Sequence, residues 1–319
     1  MITLSFPGIN IDEFSVDPVA FKIGGMEVRW YGLIIVTAII LALGYCFMRA
    51  KHEGISSEDL IDMAIFSIIF SVIGARLYYV LMTLGDYDSF LDVISIWNGG
   101  IAIYGAIIAG AITIYVVCRV KKISFLKAFD MASPALMMAQ AIGRWGNFFN
   151  GEAYGQVIPE DSPLYFIRMG ITPNEIPGSY GMAYVHPTFL YESLWNLIGF
   201  IIINALYKKK KFDGQVFLMY ITWYGFGRMF IETLRIDSLY VGVFRISQVL
   251  AFACFVVGSI ILIYKLSKAR REKLTEANYE PTYPKFSHMP LRSFNTEDSD
   301  NSDDNSDDNT DNTNEYKGE

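Results

Sequence analysis

The chain has 319 residues, of which 52% are hydrophobic, 15% aromatic and only 18% charged, and its mean hydropathy is +0.30. A soluble domain carries about a quarter charged residues, so this composition excludes an ordinary soluble protein and points to membrane-spanning segments. The formal charge of −7 is concentrated at one end: residues 293–319 hold ten acids and one lysine, which leaves the rest slightly positive and gives no argument for an acidic or nucleic-acid partner.

Seven apolar runs of spanning length follow one another, at 28–50, 61–83, 99–119, 127–149, 187–207, 213–236 and 245–266. In lipid such runs are helices, because an open strand leaves its backbone groups unpaired. The first begins with Trp30 and Tyr31, has no cleavable-leader pattern, and is followed by Arg49, Lys51 and His52. The second carries Arg76 near its end, and an acidic stretch with Asp86, Asp88 and Asp92 follows it. The third opens on Tyr104, has Ala106 and Gly110 four residues apart for close helix contact, and precedes Arg119, Lys121 and Lys122. The fourth places Gln140, Arg144 and Asn147 on one helical face and ends in Gly143-Arg144-Trp145-Gly146-Asn147-Phe148-Phe149-Asn150-Gly151-Glu152. Residues 150–186, with Pro159, Pro163, Pro173 and Pro177, read as a small irregular cap ending at His186. The fifth run opens on Tyr191 and Glu192 and is followed by Lys208, Lys209, Lys210 and Lys211; the sixth carries Arg228, Glu232 and Arg235 on one face; the seventh leads to Lys265, Lys268, Arg270 and Arg271. The remainder repeats Ser-Asp-Asp-Asn and reads as a disordered tail.

The expected fold is therefore an all-α polytopic membrane protein: a seven-helix domain over 1–270, a small extracytoplasmic cap at about 150–186, and an acidic disordered cytoplasmic tail over 271–319. Basic residues follow the odd-numbered runs, so the positive-inside rule puts the N-terminus outside and the C-terminus in the cytoplasm. Cys46, Cys118 and Cys254 lie in apolar runs and read as small buried hydrophobes, while His52, His186 and His288 are scattered. No metal, no cofactor and no nucleic-acid partner is expected.

With this orientation, six runs bring polar groups to one depth near the outer leaflet: Tyr31, Arg76, Tyr104, Arg144 with Asn147, Glu192, and Arg228 with Glu232. A charge placed in lipid costs at least about 2.5 kcal/mol, which makes intramembrane ionisable residues functional candidates. Two arginine-bearing faces at matching depth form an anion clamp, because guanidinium stays charged and donates a two-pronged fork to phosphate. A phospholipid headgroup is the anion at that depth. Alternatives stand beside these readings: Arg228 and Glu232 as a structural i,i+4 pair, Arg76 as a snorkelling cation, and His186 as a loop-shaping residue.

At these residues the chain resembles the bacterial prolipoprotein diacylglyceryl transferase family. The stretch 143–152 is similar to the family signature, as are Val28-Arg29-Trp30-Tyr31-Gly32-Leu33, Gly74-Ala75-Arg76-Leu77, Gly99-Gly100-Ile101-Ala102-Ile103-Tyr104-Gly105, His186-Pro187-Thr188-Phe189-Leu190-Tyr191-Glu192, and Tyr224-Gly225-Phe226-Gly227-Arg228 through Glu232 and Arg235. The resemblance covers roughly 1–270. It implies a multi-pass enzyme of the bacterial cell membrane that moves the diacylglyceryl group of phosphatidylglycerol to the lipobox cysteine of a preprolipoprotein, with glycerol 1-phosphate leaving. Its partners would be phosphatidylglycerol, the signal peptides of preprolipoproteins and the bilayer.

The resemblance also implies site roles. Arg144, Arg228, Glu232 and Tyr104 would be catalytic; Arg144, Asn147, Asn150, Glu152, Tyr31, Arg76 and His186 would bind substrate. Tyr104 stands where some relatives carry a histidine proposed as base, and a free phenol titrates near 10. The base is then Glu152 or His186, or none is needed, since a thiol of pKa about 8.5 is lowered by a nearby arginine. Two rival readings are a transporter or flippase, which places polar groups near the midplane, and another phospholipid-headgroup transferase, which needs a larger soluble domain than 150–186 offers.

Overall fold

The computed structural model describes residues 1–271 except 88, 97, 98, 173–180 and 239. The expected disordered tail and the prolines at 173 and 177 lie outside the described residues. All seven apolar runs are helices: α1 (Trp30–Glu53), α2 (Ser57–Met82), then, after the short α3 (Phe90–Ile94), α4 (Ile103–Val120), α5 (Phe125–Asn150), α6 (Thr188–Leu206), α7 (Gln215–Leu234) and α8 (Ile246–Arg271). Local signals set their ends. Ser56 accepts from Asp59 N and caps α2, and Gly54 and Gly151 close α1 and α5 in the left-handed conformation.

Five of the helical segments are long and apolar enough to cross a membrane: α1, α2, α4, Thr188–Lys209 and α8. The count of seven narrows at α5 and α7. These two carry the polar load, with Lys127, Asp130, Gln140, Arg144 and Asn147 on one and Gln215, Arg228 and Glu232 on the other, and that load lowers their apolar character.

The helices pair as α1 with α5, α2 with α4, α5 with α6, and α7 with α8. Small residues allow the closest approach. Gly105 lies against Gly74, and Gly110 against the Ser71 hydroxyl, so α2 and α4 meet almost backbone to backbone. Trp195 and Trp223 stack at 4.4 Å, and each indole N–H donates to the other's carbonyl at 3.0 Å. Gly227 leaves the space for Trp195 and Gly199 the space for Trp223. Gly227→Leu is therefore expected to lower stability by about 1–3 kcal/mol through overpacking. Thermal unfolding in detergent checks this, and an unchanged midpoint refutes it.

The all-α expectation needs correction. Among the described residues, those ahead of α1 and within the cap form six strands, β1 (Ile2–Phe6), β2 (Ile11–Val16), β3 (Val19–Ile23), β4 (Met26–Arg29), β5 (Met169–Thr172) and β6 (Ala183–Val185), and two more, β7 (Tyr240–Val241) and β8 (Phe244–Arg245), lie between α7 and α8. A four-stranded antiparallel sheet runs β2-β1-β5-β6, so the N-terminus and the cap build one unit. Ile2, Leu4 and Phe6 alternate along β1, and the sheet buries Leu4, Met169, Ile171 and Val185 with Tyr154 and Phe189; Phe148 and Phe149 pack against that cluster. The cap is thus a sheet seated on the end of α5 and the start of α6. The β7–β8 hairpin joins α7 to α8.

Candidate active site

The site lies where α5 and α7 end and where α1, α4, α6 and α8 begin. Its centre is Glu192, in the second turn of α6 and only 3% exposed. One carboxylate oxygen pairs with Arg144 of α5, the other with Arg228 of α7. Arg235, just past α7, reaches the same oxygen as Arg228 at 3.4 Å. Arg228 also holds Glu232 through Nη2 to Oε2 at 2.6 Å, one turn further along its own helix. Arg235 grips Asp237 with two nitrogens at 2.9 and 2.6 Å. Arg245 of β8 donates to the Glu232 carbonyl.

A second branch leaves from Arg144. Its Nη1 donates to Asn147 Oδ1 at 3.3 Å, and Asn147 Nδ2 donates to Glu152 Oε1 at 2.9 Å. Glu152 is exposed, whereas Glu192 and Glu232 are buried. The elements that hold this geometry are tied tightly. Ser193 Oγ donates to the Ala141 carbonyl at 2.8 Å and accepts from Trp145 Nε1 at 3.2 Å, which fixes α6 on α5. A narrow crevice beside the arginines is lined by Glu192, Trp195, Asn196, Tyr224, Arg228 and Ile231. Asn196 Oδ1 is buried there without a hydrogen-bond partner, and Tyr224 interacts electrostatically with Arg228, Glu192, Arg144 and Tyr104.

The other expected site residues surround this centre in different ways. The Tyr31 ring lies against Gly146, which leaves the room for it. Tyr104 shares a 2.7 Å hydrogen bond with Ser247 at the start of α8 and tilts against Tyr78. Asn150 Oδ1 is buried and unpaired at the end of α5. Arg76 does something other than face the arginines: it donates to the backbone carbonyls of Val93 and Gly99 at 2.8 Å, Gly100 at 2.8 Å and Asp92 at 2.5 Å. Its guanidinium clamps the connection that leads into α4.

His186 is buried, and Nδ1 lies 3.2 Å from the Tyr191 hydroxyl. Burial holds its pKa below the ordinary 6.5, so the ring is neutral at pH 7. The stability linked to neutral His186 is complete above pH 6.5 and is lost as pH falls through the lower folded-state pKa. Thermal unfolding midpoints measured down a pH series are expected to fall below that point, and less steeply in His186→Gln; equal slopes refute the assignment.

Three residues at the centre, Glu192, Tyr224 and Arg235, have no assigned role in the expected site set, although Glu192 is expected at this depth and Arg235 on the face of Arg228. All three sit inside motifs of the chain, but Glu192 draws its partners from helices distant in sequence.

A family model described as prolipoprotein diacylglyceryl transferase matches residues 18–264. The chain belongs to the prolipoprotein diacylglyceryl transferase family. It is 44% identical to the phosphatidylglycerol–prolipoprotein diacylglyceryl transferase of Listeria innocua over 256 residues, covering 79% of this chain and 91% of the relative. It is 40% identical over 273 residues to the enzyme so named in Pediococcus pentosaceus (84% and 96%) and 41% identical over 263 residues to one of Clostridium perfringens (81% and 98%). Family membership and the apolar helices make this a multi-pass bacterial membrane transferase. The family match includes every element that carries the arginine–glutamate centre.

Proposed function

We propose that this transferase moves the diacylglyceryl group of phosphatidylglycerol to the lipobox cysteine of a preprolipoprotein, with Arg144 and Arg228 as the phosphate clamp. The observation that carries this reading is the convergence of two arginines, from two helices, on the single buried carboxylate of Glu192. A carboxylate and a phosphodiester offer the same pair of anionic oxygens to guanidinium forks. The point where both forks meet Glu192 is therefore the place for the lipid phosphate.

In the reaction the cysteine thiolate attacks the glycerol carbon that bears the phosphate oxygen. A carbon–sulfur bond forms, the carbon–oxygen bond breaks, and glycerol 1-phosphate leaves with the electron pair. Arg144 and Arg228 stabilise the charge that grows on the leaving phosphate. Glu232 holds Arg228 at working height. Glu152, exposed and coupled to Arg144 through Asn147, is the acceptor for the thiol proton. Tyr31 and Asn150 line the lipid pocket, Tyr104 closes the rim against α8, and Arg76 and His186 hold the connections around it.

All seven long helices cross the bilayer in this reading, with the N-terminus outside and the C-terminus in the cytoplasm. Lysines and arginines stand in the last turns of α1 and α8, and in or just after the ends of α4 and α6. Within α5 and α7, Asp130 and Glu232 are buried, and the Arg144 and Arg228 side chains are 22% and 13% exposed, so these charges are largely shielded from lipid. The catalytic domain is then 1–270 and the acidic tail is an appendage. A chain shortened to residue 271 is expected to keep its rate.

The test supplies membranes carrying the chain with phosphatidylglycerol and a lipobox peptide. Thioether formation is expected, unaffected by chelators, with stoichiometric release of glycerol 1-phosphate. A product phosphorylated at sulfur, or loss of activity on chelation, refutes the scheme.

A further inference from the structure

At the opposite end of the bundle from the arginines, Asp130 of α5 is completely buried. Its Oδ2 accepts from Gly214 N at 2.8 Å and its Oδ1 from Phe217 N at 2.9 Å, so one side chain caps the start of α7. Gly214, at φ +90, supplies the left-handed turn that aims these amides. Lys210 reaches Asp130 at 3.3 Å and Glu53 of α1 at 2.7 Å, and Tyr207 donates to Glu53 at 2.8 Å. The cap is thereby tied to the end of α1 and to the segment that follows α6.

From Asp130 to Arg144 there are fourteen residues of α5, and from Gly214 to Arg228 there are also fourteen. The two helices run in the same direction, and fourteen residues rise about 21 Å in each. The cap therefore brings Arg228 level with Arg144 at the far end. A second link joins the same two helices between these ends, where Gln140 Nε2, ten residues past Asp130, donates to the Tyr220 hydroxyl, six past Gly214, at 3.0 Å. We infer that Asp130 is a positioning residue: it sets the axial register of α7 against α5 and so the height at which the two arginines share one anion. The register is independent of the chemistry; its consequence for activity rests on the clamp reading above.

A shift of about 1 Å at a clamp can cost about 10²-fold in rate. The test places nitroxide labels at Leu136→Cys on α5 and Phe230→Cys on α7, both exposed side chains, in the full chain with Cys46, Cys118 and Cys254 replaced. The label distance is measured in lipid without phosphatidylglycerol, and kcat and KM are measured separately. Asp130→Ala is expected to shift or broaden the distance by a fraction of a turn and to lower kcat at least about tenfold, with a smaller change in KM. Asp130→Asn, which keeps one acceptor, is expected to be intermediate and stands as the test if the alanine variant does not fold. Met63→Ala, on α2 and buried in a cluster that also holds Ala128 and Met131 of α5, is the packing control and is expected to leave distance and kcat unchanged. An unaltered distance in folded Asp130→Ala or Asp130→Asn overturns the inference, as does the same shift in Met63→Ala. A shifted distance together with a fully active Arg144→Ala upholds the register and sinks the clamp instead.

Discussion

Arg144→Ala is expected to lower the rate of thioether formation by about 10²–10³-fold, the loss typical of removing one donor that stabilises a developing anion. Arg228→Ala is expected to fall at least as far. Arg228 holds both Glu192 and Glu232, so its removal loosens two buried carboxylates as well as one phosphate contact. The double variant is expected to be little worse than either single one, because two arginines that grip one anion act as a unit and their effects do not add. Lysine is no substitute at either position, since an ammonium keeps the charge but loses the fork. Initial rates with phosphatidylglycerol and a lipobox peptide decide the matter. Independent, additive losses would mean that the arginines serve different steps rather than one phosphate.

Parts of this centre were legible from spacing alone. Gln140, Arg144 and Asn147 recur at helical intervals, as do Arg228, Glu232 and Arg235, and the Arg228–Glu232 pair is local, so a linear reading reaches it. Glu192 is different. A lone glutamate at the start of an apolar run carries no local mark of its partners, which arrive from α5 and α7. Arg76 shows the opposite limit: a charge near a helix end reads as a headgroup ligand, yet backbone carbonyls of the following loop take its donors, and side-chain pattern says nothing about carbonyl direction. The sheet was partly visible. The alternation of Ile2, Leu4 and Phe6 is a strand signal, but the pairing of β1 with β5 joins segments more than 160 residues apart, and only tertiary packing decides it. Helix α5 was legible for a related reason. Its polar residues interrupt the apolar run at the intervals of one face, and the fold turns that face inward.

Glu192→Ala is expected to destabilise the protein by about 3–5 kcal/mol, because it leaves a cluster of arginines without the buried carboxylate between them. Arg235 retains Asp237, but Arg144 and Arg228 share Glu192 and face each other once it is gone. Glu192→Gln separates this structural loss from the functional one. The amide keeps the shape and one acceptor oxygen, so stability is expected to fall less than in the alanine variant. If the carboxylate occupies the place of the lipid phosphate, it competes with the substrate, and neutralising it removes the competitor. The KM for phosphatidylglycerol is then expected to fall in Glu192→Gln, although the looser clamp also lowers kcat. Glu232→Gln tests the opposite geometry: the Glu232 carboxylate pairs with Arg228 of its own helix, so its change is expected to raise KM by freeing Arg228 from its working position. A lower KM in Glu192→Gln together with a higher one in Glu232→Gln assigns the two buried glutamates different tasks, placeholder and brace. A raised KM in both would mean that Glu192, too, only holds the arginines in position, and that the phosphate binds beside it.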